Sequence, residues 1–390
     1  MQTSQFPRAY LDHNATSPVH PDVAEAVARA LMLAGNPFSI HAEGRAARAV
    51  LEKARADVAA LVGARPERVV FTSGGTEAAN AVLSGALVRR GGPAPTRLLV
   101  GATEHPCVLA GHRFAVDRVG VIPVDARGVI RLDVLAEALN AWRDEDVLVS
   151  VHAANNETGV IQPLAEVAAL ARAHGRTLVH SDAVQAVGKI PVDMAALGLD
   201  ALTLSGHKFA APKGIGAIVF GEGVHLDTPF LRGGGQEGRL RGGTENLPGI
   251  VGLGVAARIA RERLVAGIDA SLRDRTEMSL RAMSPETAIF GEGAPRLPNT
   301  LHLAVPGLDA ETALIALDLS GVAVSSGSAC ASGKVARSPV LAAMGVSPAL
   351  AAGALRVSLG WNSTESDTAR FLVTLERLIA ALYHRQGRAA

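Results

Sequence analysis

Cysteine is scarce in this chain: Cys107 and Cys330 are the two thiols among 390 residues. Two thiols in so long a chain exclude the disulfide framework of a small secreted domain and favour a reducing cytoplasm. Aromatic residues make up only 3% of the sequence, so the core must be built mainly from Ala, Val, Leu and Ile. No uninterrupted apolar run is long enough to span a bilayer, so no membrane association is expected.

The chain also lacks an excess of either charge. It carries 38 basic and 37 acidic side chains, which give a formal net charge of +1. This balance produces no field that would attract nucleic acid or an anionic membrane, although local basic groups can still bind a small anion. With 48% hydrophobic residues, a chain of 390 residues is expected to form one large domain and a smaller one.

Short apolar runs alternate with alanine-rich helical stretches through the first two-thirds of the sequence. Most runs are apolar throughout, which is typical of strands covered on both faces of a sheet. One helical stretch, Leu164–His174, is followed by Gly175, a typical helix stop. The pattern predicts an α/β fold with a largely parallel sheet. The predicted strands are Val69–Thr72, Arg97–Gly101, 147–152, 177–181, Ala201–Ser205 and Gly216–Phe220.

After about residue 254 the character of the sequence changes. A charged stretch over residues 259–282 predicts one long helix, and a segment rich in proline and glycine follows it. We predict a large domain over residues 16–258, and a smaller α+β domain formed by residues 1–15 and 259–390. The elements predicted in the smaller domain are strands at 300–305, 322–325 and 354–359 and helices at Ala310–Leu319 and 367–384.

The stretch Ser73-Gly74-Gly75-Thr76-Glu77 follows a predicted strand and opens a predicted helix over residues 77–87. The N–H groups at a helix start, together with the helix dipole, form an anion site, and Thr76 adds a hydroxyl. A plain glycine turn with a threonine cap is the alternative. The stretch is not a nucleotide P-loop, because no G-x-x-x-x-G-K-[ST] pattern occurs here.

Three further polar residues follow predicted strands, where ligands bind in doubly wound sheets. Lys208, after Ser205-Gly206-His207, suits a Schiff base with pyridoxal phosphate, and Asp182 suits the protonated pyridine nitrogen. His105 could stack on the ring and move protons. The alternatives are a solvated lysine, a helix N-cap and a loop histidine. A metal site with Cys107 fits no standard ligand spacing.

These residues occur in motifs that resemble the cysteine desulfurases of nitrogen fixation and iron–sulfur cluster assembly. This group belongs to the pyridoxal-phosphate-dependent class V aminotransferase superfamily. The resemblance covers nearly the whole chain, and its motifs are specific together although each is weak alone. The matching stretches are Tyr10-Leu11-Asp12-His13-Asn14-Ala15-Thr16, Gly35-Asn36-Pro37, the Ser73 and Asp182 stretches, Asn155-Asn156-Glu157-Thr158-Gly159, the Lys208 stretch, Arg241-Gly242-Gly243-Thr244, Ser326-Gly327-Ser328-Ala329-Cys330 and Leu355-Arg356-Val357-Ser358-Leu359-Gly360.

The resemblance implies a homodimer of the aspartate-aminotransferase type (fold type I) that binds pyridoxal 5'-phosphate. It implies that Lys208 forms the Schiff base, Asp182 pairs with the pyridine nitrogen and His105 stacks on the ring. It also implies cofactor-binding roles for Gln185 and Asn156 near the phenolic oxygen, and for Gly75, Thr76, Ser205 and His207 at the phosphate. Thr244 is implied to reach the phosphate from the partner subunit, and Arg356, with Asn36, to bind the substrate carboxylate; Asn156 also borders the substrate.

The resemblance further implies that Cys330 is the nucleophile. Its thiolate would attack the sulfur of L-cysteine, leaving a persulfide on the enzyme and releasing alanine, while Lys208 moves the Cα proton. The small residues around Cys330 predict a mobile loop rather than a buried core position. Cys107 lacks such a setting and is predicted to be structural.

The implied partners are L-cysteine and a sulfur-acceptor protein such as an iron–sulfur scaffold. Selenocysteine lyase, cysteine sulfinate desulfinase and another class V aminotransferase are alternatives on the same fold. A sulfur carrier without catalytic activity is an alternative of a different class. The presence of Lys208, Asp182, His105 and Arg356 together argues against it.

Overall fold

The computed structural model describes residues 8–327 and 338–385. Cys330, the predicted nucleophile, and the loop predicted around it lie outside the described residues. The strands in chain order are β1 (Ala9–Tyr10), β2 (Val69–Thr72), β3 (Leu87–Arg89), β4 (Arg97–Gly101), β5 (Val119–Ile122), β6 (Val147–Ser150), β7 (Thr177–Asp182), β8 (Ala201–Ser205), β9 (Gly216–Phe220), β10 (Val224–Leu226), β11 (Ala288–Ile289), β12 (Thr300–Ala304), β13 (Val322–Ala323) and β14 (Ala354–Ser358).

Helices lie between these strands, as the alternating sequence pattern predicts. In chain order they are α1 (Pro21–Leu31), α2 (Ala42–Leu61), α3 (Gly75–Val82), α4 (Pro106–Leu109), α5 (Leu132–Ala141), α6 (Leu164–His174), α7 (Leu247–Ala266), α8 (Ser271–Met283), α9 (Ala310–Leu319), α10 (Pro339–Ala343), α11 (Pro348–Ala351) and α12 (Glu365–Arg385). None of the helices in the described ranges has the length and apolar character needed to cross a membrane.

The main sheet has the strand order β2-β9-β8-β7-β6-β4-β5. Every neighbouring pair from β8 to β5 is parallel, and β9 runs antiparallel to both β2 and β8. The prediction of an α/β fold with a largely parallel sheet is confirmed, and all six predicted strands lie in this sheet. Strands β6, β7, β8 and β9 are buried along their whole length, because helices cover both faces of the sheet.

A second core forms around the antiparallel sheet β11-β12-β14. Leu303, Leu355 and Phe371 are buried in it together with Ala9 and Leu11 from the start of the chain. The N-terminal residues therefore pack with C-terminal elements. The division into residues 16–258 on one side, and 1–15 with 259–390 on the other, stays a prediction.

Two predicted helices have different bounds in the structure. The helix predicted over 77–87 begins at Gly75 and ends at Val82, because Leu87 belongs to β3, which pairs with β10. The single helix predicted over 259–282 is two helices, α7 and α8. Gly267, with a φ of 116°, follows the last residue of α7 and ends it.

Candidate active site

The carboxyl ends of β4, β6, β7 and β8 meet at one edge of the main sheet because these strands are parallel. Most of the predicted site residues follow these ends. His105 comes shortly after β4 and Asn156 after β6, whereas Asp182 is the last residue of β7. Ser205 ends β8, and Lys208 lies in the single helical turn that follows it. The sheet topology therefore brings together residues that are distant in the sequence.

The predicted anion site is a turn packed against the end of β8. Helix α3 begins at Gly75 and has Thr76 in its first turn. A Cβ atom at Gly75 would lie 2.8 Å from Val184 Cγ2 and 3.4 Å from Ser205 Cβ, so a side chain there is excluded. The N–H groups at the start of α3 and the nearby hydroxyl groups suit a phosphate.

An ion pair joins this turn to the segment that carries Thr244. Glu77 Oε2 accepts the backbone N–H of Ser73 at 2.9 Å, and Glu77 Oε1 accepts Arg241 Nε at 2.9 Å. Burial raises the pKa of Glu77, but the hydrogen bonds from Arg241 and Ser73 outweigh it and lower the pKa. The carboxylate is therefore ionised and fixes both segments. Thr244 itself is exposed in the single chain, so its reach into a partner subunit stays a prediction.

Asp182 is buried, and the charges of Asp182 and His105 influence each other's pKa. Asp182 is 6% exposed, and its Oδ1 accepts the backbone N–H of Val184 at 2.9 Å. Burial raises the pKa of the Asp182 carboxyl, and the Val184 hydrogen bond only partly offsets this. His105 Nδ1 accepts the N–H of Cys107 at 3.1 Å, and burial lowers the pKa of His105. His105 is thus neutral, and a cationic partner would stabilise the buried carboxylate form of Asp182.

Two residues that the sequence did not identify lie behind this pair. Glu104 Oε1 accepts the backbone N–H of His152 at 2.6 Å and lies 3.0 Å from its ring Nδ1. Burial opposes a charge on His152, but the adjacent Glu104 carboxylate raises its pKa. A positive charge on His152 in turn lowers the pKa of both His105 and Asp182. Only the position of Glu104 next to His105 hinted at this arrangement in the sequence.

Asn14 connects Lys208 to the rest of the site. Lys208 Nζ donates to the backbone carbonyls of Asn14 at 2.7 Å and of Ala15 at 2.9 Å. The Asn14 side chain donates to the carbonyl of Asn156 at 3.2 Å and to Thr300 Oγ1 at 2.9 Å. Asn14 thus connects Lys208, the predicted Schiff-base lysine, both to Asn156 beside the main sheet and to Thr300 on β12 of the second sheet. The sequence marks Asn14 only as part of a motif and does not predict that it binds Lys208.

Gln185 and His207 also contact the N-terminal segment. Gln185 Nε2 donates to the Asn14 carbonyl at 3.0 Å. The ring of His207 lies 3.2 Å from Thr16 Oγ1, and burial, together with the charge of Lys208, lowers the pKa of His207 to about 4. His207 is therefore neutral at pH 7 and can donate one hydrogen bond. The contacts of both residues with a cofactor stay predictions.

Arg356 lies on β14 with a buried guanidinium group. The residue is 2% exposed, its Nη2 donates to Asp12 Oδ1 at 2.8 Å, and its Nη1 donates to the Asn156 carbonyl at 3.1 Å. Its Nε is buried and has no hydrogen-bond partner among the described residues. This unpaired donor suits one oxygen of a carboxylate ligand.

The backbone of Ser325 forms an isolated antiparallel bridge with that of Arg356 on β14. Arg356 N donates to the Ser325 carbonyl at 2.6 Å, and Ser325 N donates to the Arg356 carbonyl at 3.2 Å. Ser325 precedes Cys330 by five positions in the sequence. The chain that leads to the predicted nucleophile therefore starts beside the predicted carboxylate-binding residue.

The two described residues nearest that segment converge on one carboxylate. Ser338 Oγ donates to Glu157 Oε2 at 2.5 Å, and a Cβ atom at Gly327 would lie 2.5 Å from the same oxygen. His302 is also adjacent, because the same Cβ would lie 2.8 Å from its Nε2. Burial raises the pKa of Glu157. Glu157 was noticed only as part of a motif, and His302 was not predicted.

Asn36 lies in an exposed turn between α1 and α2. Its Oδ1 accepts the backbone N–H of Phe38 at 2.9 Å, which closes the turn. None of the hydrogen bonds found within residues 8–327 and 338–385 joins it to Arg356. Its assistance to Arg356 stays a prediction.

The residues at this edge of the sheet fit pyridoxal phosphate by their chemistry. The start of α3 at Gly75 offers backbone N–H groups that suit a phosphate, and Lys208 supplies a primary amine. Asp182 Oδ2 accepts a weak hydrogen bond from the Cys107 thiol at 3.8 Å and, as a carboxylate oxygen, can also accept a pyridinium N–H. Burial lowers the pKa of His105, the charge of Asp182 raises it and the charge of Lys208 lowers it, so His105 lies within electrostatic range of both groups.

Comparison with known proteins gives a consistent result. The family described as aminotransferase class V matches residues 9–371. An IscS-like cysteine desulfurase of Mycobacterium tuberculosis is 40% identical over 385 residues, which cover 95% of this chain and 96% of that protein. A cysteine desulfurase of Gluconacetobacter diazotrophicus is 41% identical over 381 residues, covering 96% and 94%. The X-ray structure of a NifS-like protein from Rickettsia africae superposes with a TM-score of 0.85 at 32% identity, covering 95% and 99%.

Proposed function

The chain belongs to the class V aminotransferase family and to the cysteine desulfurases within it, and on that premise we propose that it converts L-cysteine to L-alanine and takes the sulfur as a persulfide on Cys330. The observation that carries the proposal is the pairing of Ser325 with Arg356. It starts the chain toward Cys330 beside the guanidinium group that suits the substrate carboxylate. We infer that Cys330 takes the sulfur atom of a cysteine whose carboxylate is bound by Arg356.

The family depends on pyridoxal phosphate, which when bound supplies an electron sink for the electrons of the Cα–H bond. We propose that Lys208 carries the cofactor, that Asp182 accepts its pyridinium proton and that His105 covers its ring. Gly75, Thr76, Ser205 and His207 hold the phosphate, and the amide groups of Gln185 and Asn156 serve the phenolic oxygen, as the sequence predicts.

The residues of the chain perform the remaining steps. Arg356 binds the substrate carboxylate, and the freed amine of Lys208 removes the Cα proton. The Cys330 thiolate then forms a bond to the substrate sulfur while the Cβ–S bond breaks, and protons return to the carbon skeleton. In sum, cysteine and one enzyme thiol become alanine and one enzyme persulfide, so atoms and electrons balance.

The test is to incubate the purified protein, loaded with pyridoxal phosphate, with L-cysteine and no reductant. One alanine should appear for each sulfur atom added, and intact mass spectrometry with peptide mapping should place that sulfur on Cys330. Selenocysteine and cysteine sulfinate are tested in parallel. Faster turnover of either, or transamination without alanine from cysteine, would favour one of the alternative activities.

Arg356 provides a test of substrate binding. Arg356→Lys keeps the charge but loses the planar pair of donors, so KM for L-cysteine should rise about 10- to 100-fold with a smaller change in kcat. Arg258→Lys is the matched control. It makes the same change on α7, where Arg258 pairs with Glu262, one helical turn away, in a solvent-accessible ion pair. Unchanged KM in a variant of normal melting temperature would show that another group binds the carboxylate.

We also propose a homodimer and a sulfur-acceptor partner such as an iron–sulfur scaffold. Support for the dimer comes from the exposure of Thr244, which the family resemblance places at the neighbouring subunit's site. Apolar side chains near Asn36 are exposed as well: Met32 at 85% and Ile40 at 90%. Because Cys330 must remain a thiol, the proposed compartment is the reducing cytoplasm.

A further inference from the structure

Lys189 has an interior amine whose hydrogen-bond partners are both uncharged. Its Nζ donates to Asn14 Oδ1 at 2.8 Å and to Gln185 Oε1 at 2.5 Å. No carboxylate within residues 8–327 and 338–385 forms an ion pair with it. An ammonium buried against amide oxygens opposes folding, so its presence indicates a role other than stability.

Asn14 holds Lys189 and Lys208 at the same time. The side-chain oxygen of Asn14 accepts Lys189, whereas its backbone oxygen accepts Lys208 at 2.7 Å. Gln185 closes the arrangement, because its Nε2 donates to the Asn14 carbonyl at 3.0 Å while its Oε1 accepts Lys189. Both lysines also line one cavity of about 430 Å³. Two amines are therefore fixed to two oxygens of one residue.

The surroundings of Lys189 are mainly cationic. Burial, and then the charges of Lys208 and Arg356, lower the pKa of Lys189. The imidazoles of His13 and His207 are neutral at pH 7, since burial and the neighbouring cations lower the pKa of each to about 4. The titratable and charged groups that face Lys189 or line its cavity are Lys208, Arg356, His13, His20, His207, Arg263 and Asp269.

We propose that Lys189 is a positioning residue that couples its own protonation to that of Lys208, so that the two amines bound to Asn14 do not both carry a proton. Like charges held this close repel, so the protonated form of each lysine is disfavoured when the other is charged. An uncharged amine is the form that adds to a carbonyl and accepts a proton. The inference rests on the proposed function for the use of Lys208, but the charge effect itself does not require that function.

The experiment measures the protonation of Lys208 directly. The full-length protein without cofactor is labelled with a trace of acetic anhydride across a pH series. Peptide mass spectrometry then gives the acetylated fraction of Lys208 relative to the exposed Lys53. In Lys189→Met, the pH midpoint for Lys208 should rise by about one unit, because the neighbouring charge is gone. In Lys189→Arg, which keeps the charge, the midpoint should stay near the wild-type value.

A second variant and a second measurement guard against loss of folding. Asn14→Asp places a carboxylate where Lys189 is bound and should raise the Lys208 midpoint in the same direction. In the protein loaded with pyridoxal phosphate, the pH midpoint of the visible absorbance change should rise in Lys189→Met as well. A Lys208 midpoint that moves by less than about 0.3 unit in both folded variants would overturn the proposal. Because labelling needs no substrate, this outcome is independent of whether cysteine is turned over.

Discussion

Replacing Cys330 with serine is expected to abolish persulfide formation and to lower alanine release from L-cysteine by about 10³-fold or more. A serine hydroxyl is protonated at neutral pH and attacks sulfur poorly, whereas a thiolate does so readily. The visible absorbance of bound pyridoxal phosphate should not change, because the proposed cofactor residues are intact. Single-turnover alanine release and the protein mass after exposure to cysteine provide the measurement.

Cys107→Ser is the matched control for this substitution. Burial raises the pKa of the Cys107 thiol, and the Asp182 carboxylate, 3.8 Å from the sulfur, raises it further. Cys107 is therefore a thiol rather than a thiolate at neutral pH, and its serine variant should still gain one sulfur on Cys330. Undiminished alanine release by Cys330→Ser would refute the assignment of the nucleophile.

Replacing Lys208 with alanine is expected to remove the covalent attachment of pyridoxal phosphate and to reduce turnover by about 10²- to 10⁴-fold or more. Alanine offers neither a primary amine for the Schiff base nor a base for the Cα proton. After borohydride reduction, the wild-type peptide that contains Lys208 should carry the mass of the reduced cofactor, and the variant protein should carry none.

Lys53→Ala is the control for Lys208→Ala. Lys53 is exposed on α2 and pairs with Asp57 at 3.4 Å, a surface contact that contributes little to stability. The control should retain both the bound cofactor mass and the turnover. A cofactor that remains attached to another lysine in Lys208→Ala would contradict the role proposed for Lys208.

Six of the seven strands of the main sheet could be predicted because each leaves a local signal. Strands such as β6 and β8 are buried on both faces, so their sequences are apolar throughout. Strand β5 was missed because it lies at the sheet edge, where Val121 is 58% exposed and Gly120 interrupts the apolar run. An apolar-run criterion detects strands that are fully covered and overlooks those that are half exposed.

The helix bounds were harder to predict because they depend on distant contacts. The charged pattern over 259–282 continues through the break between α7 and α8, so periodicity alone gave one helix. The end of α3 is set by β3, whose partner β10 lies more than a hundred residues further along the chain. The helix and strand propensities of a short stretch of sequence do not reveal a pairing with a strand so far along the chain.

The sequence by itself determined the fold class and the chemical inventory of the site. Asp182 ends a strand, while Lys208, His105 and the glycine turn at the start of α3 come shortly after one, and a parallel sheet places such residues at one edge. Only the tertiary structure decided how these groups are connected. Asn14 meets Lys208 across 194 residues, Asp12 meets Arg356 across 344, and Lys189 shares Asn14 with Lys208. The physical reason is that the hydrophobic pattern of a strand depends on residues close together in the sequence. The hydrogen bonds and charges that set protonation instead arise between segments that only folding brings together.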